Sequence, residues 1–400
     1  MDIKRPYLFL EVNDNQFVFL VVKYSEDLSF EILYSTSLKS AGVKDGKIID
    51  TEIAFKTIKE NLDILENKLK HTFKSTTIIN DQYNFDCINI SGFKKLGGSQ
   101  ILDEDISYIL NDIKKFISDN EPKKTLIHLF NTNFILDQTA LNNLPIGLHG
   151  DFYNHHLTFF LLPKNDLRNL KLILNKCDLN IERIVLKPFT SGIDKTNRNE
   201  TKEIFCTISI GKNKSNISIF QNLSFAYSEN FSFGSEMIKK DISKLCSLEN
   251  SVVEDIISNI CFDQINDKKD EIYLEEKYFM NMAFRKISLA HLKNIIIARL
   301  NELVDIIYEK NVNLKNLKDR NQIIYLSFED DKIFNSLKEN FKNRFFNKEK
   351  VRVLEKSQDE HIKPCLASVE LISRGWEKEA IPIIHKKKSI ISRIFSGLFG

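Results

Sequence analysis

Glycine is scarce in this sequence. It accounts for 13 of the 400 residues, about 3%, where soluble proteins use about 7%. Loops that cradle phosphate groups are built from glycine, because a residue without a side chain lets backbone N–H groups approach the ligand closely. The shortage therefore argues against an intact glycine-rich phosphate site.

Cysteine pairs are also missing. No two of the six cysteines form a Cys-x-x-Cys motif, so neither a disulfide framework nor a zinc site is indicated, and no metal ligand is predicted. The cysteines are Cys87, Cys177, Cys206, Cys246, Cys261 and Cys365. A reduced, cytosolic compartment fits this pattern best.

Long apolar runs and an imbalance of charge are absent as well. The apolar stretch near the start is interrupted at Glu11, too early for a signal peptide, and no run approaches the roughly 20 residues of a membrane-spanning helix. We therefore expect a soluble protein, or one attached to a membrane from one side. The 57 basic and 55 acidic residues leave a net charge of +2, which excludes a polybasic nucleic-acid binder.

One structural pattern occurs twice, with about 200 residues between the two copies. In each copy three strand-like segments of alternating apolar residues precede an amphipathic helix. The first copy is predicted at Tyr7–Val12, Phe17–Tyr24, Leu28–Tyr34 and Thr51–His71, with Thr51 as the helix cap. The second is predicted at Glu203–Ile210, Ser215–Phe220, Leu223–Phe231 and Glu236–Leu245. The repetition favours two similar α/β halves.

Further elements are predicted from the same periodicities. Residues 86–165 form an inserted module with a strand at 86–91, helix Leu102–Ser118 and strands Leu126–Leu136 and Asp151–Leu162. Helix Asp166–Cys177 and strand Ile181–Leu186 follow it. The last part is mainly helical, with helices Val252–Asn259, Ser288–Tyr308, Lys332–Phe345 and Pro364–Arg374 and one strand, Ile323–Phe328.

Four segments carry a resemblance to a known family. They are residues 40–50 before the first long helix, residues 134–148, residues 184–192 with the order Ile-Val-Leu-Lys-Pro-Phe-Thr-Ser-Gly, and residues 234–242, which begin Gly-Ser. In this order, over nearly all 400 residues and with a basic amphipathic tail, they resemble FtsA, the bacterial actin homologue of cell division.

The resemblance implies an α/β fold of the actin, Hsp70 and sugar-kinase superfamily. It would have two lobes, an FtsA-type inserted subdomain and a C-terminal amphipathic helix. The implied parts are a first lobe core at 1–85 and 166–200, the inserted subdomain at 86–165, a second lobe core at 201–236 and 321–375, a helical subdomain at 237–320, a linker at 376–388 and a membrane-targeting helix at 389–400.

The resemblance also implies a function and partners. A protein of this family tethers FtsZ filaments, through the FtsZ C-terminal tail, to the cytoplasmic side of the inner membrane at the division site. It recruits later divisome proteins, self-associates into actin-like filaments and binds anionic lipids, but no nucleic acid.

The resemblance implies ATP with Mg²⁺ as the cofactor, held between two hairpin turns. At these two turns the sequence departs from the family. Residues 11–16 lack the glycine of the first turn, and residues 209–216 lack both acidic residues of the second. Residues 325–329 lack the Gly-Gly pair beside the adenine, and Ile257 stands where the family has a lysine. The matching positions are Glu11, Asn13, Gly211, Lys212, Gly234, Ser235 and Glu254. We expect ATP turnover to be lost and nucleotide binding to be weak or absent, so that the protein is not an enzyme.

The C-terminal tail has the pattern of a membrane-surface helix. Ile390, Ile391, Ile394, Phe395, Leu398 and Phe399 share one helical face. Lys386, Lys387 and Lys388 precede them, and Arg393 lies on the opposite face. At 11 residues the helix would be about 16 Å long, too short to span a bilayer but able to lie in its interface. Folding back onto the protein is the alternative for such a helix.

The FtsZ-binding subdomain of the family corresponds to the region around helix Ser288–Tyr308. Lys293, Arg299 and Glu302 are the candidate FtsZ-binding residues, and a plain solvated helix face is the alternative. Two other functions remain open for the whole chain. One is a nucleotide-binding ATPase of the same superfamily, which requires intact turns. The other is a pilus-assembly type of actin-like scaffold, which lacks the basic tail.

Overall fold

The chain forms two compact units. The structure, a computed structural model, describes residues 5–196, 204–262, 265, 272–280, 283–318, 322–329, 338–346, 348–355, 359–376, 378 and 379. Of these, residues 5–196, 222–227, 359–376, 378 and 379 belong to unit 1, and the others belong to unit 2.

Unit 1 is built on a five-stranded sheet with the order β11-β6-β1-β2-β3. Its strands are β1 (Pro6–Val12), β2 (Gln16–Tyr24), β3 (Phe30–Lys39), β6 (Ser75–Asn80) and β11 (Asn180–Leu186). The first three form an antiparallel meander, and β6 and β11 add in parallel beyond β1. A short hairpin of β4 (Val43–Lys44) and β5 (Lys47–Ile48) precedes the first helix.

Helices cover both faces of this sheet. The helices of unit 1 outside the inserted subdomain are α1 (Thr51–Leu69), α3 (Lys164–Lys176), α4 (Lys187–Thr196) and α9 (Lys363–Arg374), with a 3-10 turn at Glu360–Ile362. Residues Leu8 and Leu10 of β1 pack against α1 and α3, and Phe9 packs with Cys365 and Val369 of α9. Successive side chains of a strand point to opposite faces, so burial on both faces explains why β1 and β2 are almost wholly apolar.

The inserted subdomain is an antiparallel sheet covered by one helix. Its sheet order is β7-β10-β8-β9, with β7 (Asp86–Lys95), β8 (Lys124–Leu136), β9 (Thr139–Leu141) and β10 (Phe152–Pro163). Helix α2 (Asp103–Asn120) packs its buried stripe on one face of the sheet; the stripe is Ile106, Ile109, Ile113 and Ile117.

Unit 2 repeats the sheet topology of unit 1. Its order is β14-β13-β12-β15-β16, with β12 (Phe205–Ile210), β13 (Ser215–Gln221), β14 (Ser224–Phe231), β15 (Ile323–Phe328) and β16 (Val351–Val353). Of β14, residues 228–231 belong to unit 2. Strands β12 and β13 are antiparallel, whereas β15 and β16 add in parallel beyond β12. The same order in both sheets confirms the two similar α/β halves predicted from the repeated pattern.

The rest of unit 2 is mainly helical. Its helices are α5 (Glu236–Cys246), α6 (Asn250–Asn259), α7 (Leu289–Val304) and α8 (Lys338–Arg344). Short turns of 3-10 helix lie at Glu276–Phe279, Val312–Leu314 and Lys348–Lys350, and a π-helical turn, Asp305–Glu309, extends α7. Among the described residues, no helix is both long enough and apolar enough to cross a bilayer.

Some boundaries differ from the predicted ones. Asp50, not Thr51, caps α1, because its carboxylate accepts the N–H groups of Glu52 and Ile53 at 3.1 and 3.0 Å. The predicted helix Ser288–Tyr308 changes to π-helical geometry after Val304. Helix α4 had no sequence signal that we recognised. The third strand begins two residues later than predicted and extends to Lys39.

The region predicted as a linker after α9 begins with docked residues. The indole N–H of Trp376 donates to the Leu223 carbonyl at 2.5 Å, and the Lys378 carbonyl accepts the Asn131 N–H at 2.8 Å. Glu379 forms an antiparallel bridge with Phe130 of β8. Residues 376, 378 and 379, the docked segment, therefore lie on unit 1.

Candidate nucleotide turns and a candidate partner groove

The turn between β1 and β2 uses its own backbone N–H groups internally. The side-chain oxygen of Asn13 accepts the N–H groups of Asn15 and Gln16 at 2.9 and 2.8 Å. In an actin-like phosphate turn such groups are the ones that would point at a phosphate. A phosphate at this turn would have to displace both hydrogen bonds of Asn13.

A buried charge cluster lies behind this turn. Glu11 is buried, and its Oε1 accepts a hydrogen bond from Asn13 at 2.7 Å and lies 3.0 Å from the Lys187 Nζ. Asp81 lies 3.1 Å from the same Nζ. Burial acts to lower the pKa of Lys187, but the carboxylates of Asp81 and Glu11 outweigh it and raise that pKa well above its ordinary value. The ammonium group is thus charged and engaged by two carboxylates.

Asp14 has a structural role beside this turn. Its carboxylate accepts the Gly46 N–H at 2.6 Å, in the hairpin between β4 and β5. Gly46 has a positive φ of 69°, and a Cβ there would lie 2.4 Å from the Asp81 carbonyl oxygen, so only glycine fits. The carboxylate of Asp14 therefore fastens a neighbouring hairpin of unit 1.

The turn between β12 and β13 in unit 2 also uses its backbone N–H groups in hydrogen bonds within the protein. The Gly211 N–H donates to the Lys214 carbonyl at 2.8 Å, and the Lys212 N–H donates to the Glu329 carboxylate at 3.2 Å. Glu329 follows β15, at the place where the family has its Gly-Gly pair. A carboxylate of the chain itself therefore accepts one of the backbone N–H groups of this turn.

The first helix of unit 2 is capped by that same turn. The N–H groups of Ser235 and Glu236 donate to the carbonyls of Gly211 and Lys212 at 3.0 and 2.9 Å. A Cβ at Gly234 would lie 2.1 Å from the Gly211 carbonyl oxygen. The glycines that match the family are therefore required by the packing of turn against helix, and the amide donors of the helix start are already used.

Glu254, the last matching position, lies on α6. Its carboxylate pairs with Lys239 of α5 at 3.1 Å, so it joins two helices. Ile257, one turn further along α6, is buried. In each unit taken by itself, the residues that match the nucleotide site form hydrogen bonds or packing contacts with the chain's own groups.

A groove of about 500 Å³ lies between α5 and α7 in unit 2. Leu245, Ile295 and Ala298 supply apolar surface, while Lys244 and His291 add basic or polar groups. Its other lining residues are Asp241, Asn294, Arg299 and Glu302. A groove of this composition suits an amphipathic peptide.

The structure separates the three candidate FtsZ-binding residues. Arg299 and Glu302 line the groove, and the Arg299 guanidinium donates to Asp241 and Glu302, each at 2.5 Å. Its charge is therefore balanced by two carboxylates. Lys293 is buried, and its Nζ donates to the Ile265 carbonyl at 2.7 Å, so Lys293 does not project from α7 as the sequence suggested.

The candidate membrane-binding residues lie outside the described residues. They are Lys386, Lys387, Lys388, Ile390, Ile391, Arg393, Ile394, Phe395, Leu398 and Phe399.

Some site residues had escaped the sequence analysis. Lys187 and Glu329 became visible only through contacts that join distant parts of the chain. Lys244 and Leu245 had a usable signal, because both fall outside the buried stripe of α5, and an exposed leucine on a helix marks an accessible apolar surface.

No known protein-family model matches the chain. Its sequence is 22% identical over 317 residues to cell division protein FtsA of Buchnera aphidicola, covering 79% of this chain and 72% of that protein. FtsA of Rhizobium meliloti is 22% identical over 54% of this chain and 48% of its own length. FtsA of Streptococcus pneumoniae is 22% identical over 56% of this chain and 49% of its own length. The chain thus spans about half the length of the last two relatives.

Two solved structures share the fold. The PilM–PilN type IV pilus biogenesis complex aligns with a TM-score of 0.56 at 13% identity, over 92% of this chain and 98% of that one. MreB5 of Spiroplasma citri bound to ADP aligns with a TM-score of 0.50 at 12% identity, over 93% of this chain and 98% of that one. With the repeated sheet topology, they define a protein of the actin-like α/β class, as predicted.

Sequence similarity narrows this class further. Eight curated relatives, at about 20% identity over 54–79% of the chain, are all FtsA proteins. The chain is thus similar in sequence to FtsA proteins over more than half of its length.

Proposed function

We propose that the chain is a cell-division protein of the FtsA type that acts as an adaptor. It binds the FtsZ C-terminal tail in the groove between α5 and α7 and attaches to the membrane through residues 386–399. The observation that carries this proposal is the groove itself. The resemblance to FtsA implies that its residues belong to the FtsZ-binding subdomain. Similarity to FtsA supports a place at the division site, self-association and contacts with later division proteins.

The peptide chemistry follows from the lining of the groove. FtsZ tails combine acidic and apolar residues, as the family resemblance implies. Apolar side chains would bury against Leu245 and Ile295, and acidic ones would approach Lys244. Arg299 is already paired with Asp241 and Glu302, so Lys244 is the more available cation for a peptide carboxylate.

The adaptor function would proceed without ATP turnover. In unit 1 the amide donors of the turn bind Asn13, and in unit 2 they bind Lys214 and Glu329. Any bound phosphate would compete with these bonds and meet the negative charge of Glu329. The family resemblance implies ATP with Mg²⁺ as the cofactor, and we propose that this chain no longer uses it.

Titration of the groove tests the FtsZ part of the proposal. Fluorescence anisotropy would follow a labelled FtsZ C-terminal peptide with the full chain and with Lys244→Glu. Reversing one exposed charge should weaken binding about three- to tenfold, since an exposed ion pair contributes about 0.2–1 kcal/mol and reversal adds repulsion.

Lys240→Glu is the matched control. Lys240 is also exposed on α5, one turn away, but does not line the groove. Equal weakening by both variants would indicate a general charge effect, and unchanged affinity with Lys244→Glu would place the peptide elsewhere.

A further inference from the structure

One end of the inserted subdomain exposes a set of large apolar side chains. Between 38% and 58% of the surface of each is exposed. The set, which forms the distal patch, consists of Phe93, Leu102, Leu144, Ile146, Leu148 and Phe152. Soluble proteins expose single apolar side chains routinely, whereas a cluster of six at one end of a subdomain is typical of an interaction surface.

Backbone contacts hold the members of the distal patch together. The Ile101 N–H donates to the Leu148 carbonyl, and the Gly147 N–H donates to the Ile101 carbonyl, each at 2.9 Å. The segment that carries Leu102 is therefore bonded to the loop that carries Ile146 and Leu148. The rings of Phe93 and Phe152 stack on each other, with centroids 6.1 Å apart, and their segments are joined where the Leu96 N–H donates to the Asp151 carbonyl at 2.8 Å.

The rim of the distal patch is acidic. Segments 93–105 and 137–152 contain five acidic residues and only two lysines. The acidic residues are Asp103, Glu104, Asp105, Asp137 and Asp151. One of the lysines, Lys94, pairs with Asp105 at 3.3 Å. This surface would be repelled by an anionic bilayer and would attract a basic, apolar segment.

The chain itself contains a segment of that kind, and it follows the docked segment. Because Glu379 pairs antiparallel with Phe130, the chain leaves Glu379 toward the start of β8 and has to turn back to reach the distal patch. Lys378 donates from its Nζ to the Asn142 carbonyl at 2.5 Å, in the loop that carries Leu144, Ile146 and Leu148. Ten residues separate Glu379 from residue 390, and they can reach roughly 33 Å at 3.3 Å per residue. Leu136, the last residue of β8, lies six residues beyond Phe130, about 20 Å along the strand, which is less than this reach.

We propose that residues 386–399 dock in cis on the distal patch when no membrane is present. Ile390, Ile394 and Phe395 would cover the apolar side chains. Lys386, Lys387 and Lys388 would face the acidic rim. The same apolar face cannot contact the patch and a bilayer at once, so docking holds the tail off the membrane. That regulatory consequence rests on the proposed membrane attachment, whereas the docking itself does not.

Limited trypsin digestion of the full chain tests the docking without any membrane. Cleavage after Lys386, Lys387, Lys388 and Arg393 is followed by mass spectrometry in the wild type, Ile146→Glu and Ile64→Glu. Ile64 is the matched control, because it is 59% exposed on α1, away from the patch. We expect Ile146→Glu to be cleaved about fivefold faster, because cleavage follows the open fraction, and Ile64→Glu to match the wild type.

A second patch variant and a sizing measurement complete the test. Leu148→Glu should reproduce the effect of Ile146→Glu, and equal thermal melting temperatures would show that the fold is intact. Equal tail cleavage in all four chains would overturn the docking. Loss of a concentration-dependent dimer in the patch variants, with unchanged tail cleavage, would also overturn it and assign the patch to a second copy.

Vesicle binding separates the docking from the proposed function. With vesicles of phosphatidylcholine and phosphatidylglycerol, Ile146→Glu should bind about three- to tenfold more tightly than the wild type, because the competent fraction rises. If tail cleavage accelerates but no chain binds vesicles, docking stands and membrane attachment fails. If vesicle affinity is equal in wild type and variant while both bind, the docking does not regulate attachment.

Discussion

Asn13 is the residue on which the first turn depends. Its side chain accepts two backbone N–H groups and donates to buried Glu11, so three buried or half-buried groups rely on it. The sequence showed only that a glycine is missing here. The hydrogen bonds that the turn N–H groups make became visible only in the structure.

Asn13→Ala should lower the free energy of unfolding by about 2–3 kcal/mol, because it leaves turn N–H groups and the Glu11 carboxylate without these partners. Urea denaturation would measure the loss. Asn143→Ala, in an exposed loop, should change stability by less than about 0.5 kcal/mol. A loss at Asn13 no larger than the loss at Asn143 would contradict the assigned role.

His155 is a buried residue with a pH signature. Burial, with a smaller contribution from His156, lowers the pKa of His155 to about 4. Its Nε2 lies 2.8 Å from the Asn131 side-chain oxygen, which fits a neutral ring donating from Nε2. Its partner nitrogen, Nδ1, is buried without a hydrogen bond to the described residues.

Acid should therefore destabilise the wild type through His155. The unfolded ring takes up a proton near pH 6.5, whereas the folded ring does so only near pH 4. Between these values stability falls as pH falls, by at most about 1.4 kcal/mol per pH unit. His155→Gln keeps a donor at the same place but cannot titrate, so its unfolding free energy should fall less steeply between pH 6.5 and 4. Parallel curves for the two chains would refute the assignment.

The docked segment is the element that connects the fold to the tail. The Glu379 carboxylate is buried, accepts from His128 Nδ1 at 2.8 Å and pairs with Arg183. The ring of Trp376 packs edge-on against Phe189, with centroids 5.4 Å apart. The chain is thus fixed to unit 1 as far as Glu379.

Glu379→Gln should destabilise unit 1 by about 3 kcal/mol, because it leaves Arg183, whose side chain is only 11% exposed, without its counter-charge. Glu360→Gln is the control, since the Glu360–Lys363 pair is partly exposed and should contribute less than about 1 kcal/mol. Thermal denaturation of both variants measures the difference. Equal melting temperatures would mean that the Glu379 pair contributes little.

The sequence predicted the bounds of some helices and strands more accurately than those of others. Strands β1 and β2 and helices α1 and α5 have periodic apolar patterns over many residues, and these were predicted at nearly their observed places. The docked segment is too short to show the hydrophobic periodicity of a helix or a strand. Contacts such as Lys212 with Glu329 join positions far apart in sequence, and a single sequence has no local signal for them. The groove is formed by α5 and α7, and the sequence did not show that these two helices lie side by side, so Lys244 was not recognised as part of a site.

On the scale of the whole molecule, the two sheets with one strand order are the firmest link to the actin-like class. The strands and helices of both units are held by apolar packing, which does not depend on the chemistry of the turns. The adaptor proposal needs only the groove of unit 2 and the tail after unit 1. It therefore predicts recruitment that does not depend on ATP.

Co-sedimentation of FtsZ with anionic vesicles tests this claim most directly. The chain is added as wild type, as Ile394→Glu, which places a charge in the apolar face of the tail, or as Ser392→Glu, which alters the opposite face. Each is measured with and without ATP and Mg²⁺. We predict that FtsZ pellets with the wild type and with Ser392→Glu, equally with and without ATP, and stays in solution with Ile394→Glu. FtsZ recruitment that requires ATP, or that persists with Ile394→Glu, would contradict the account.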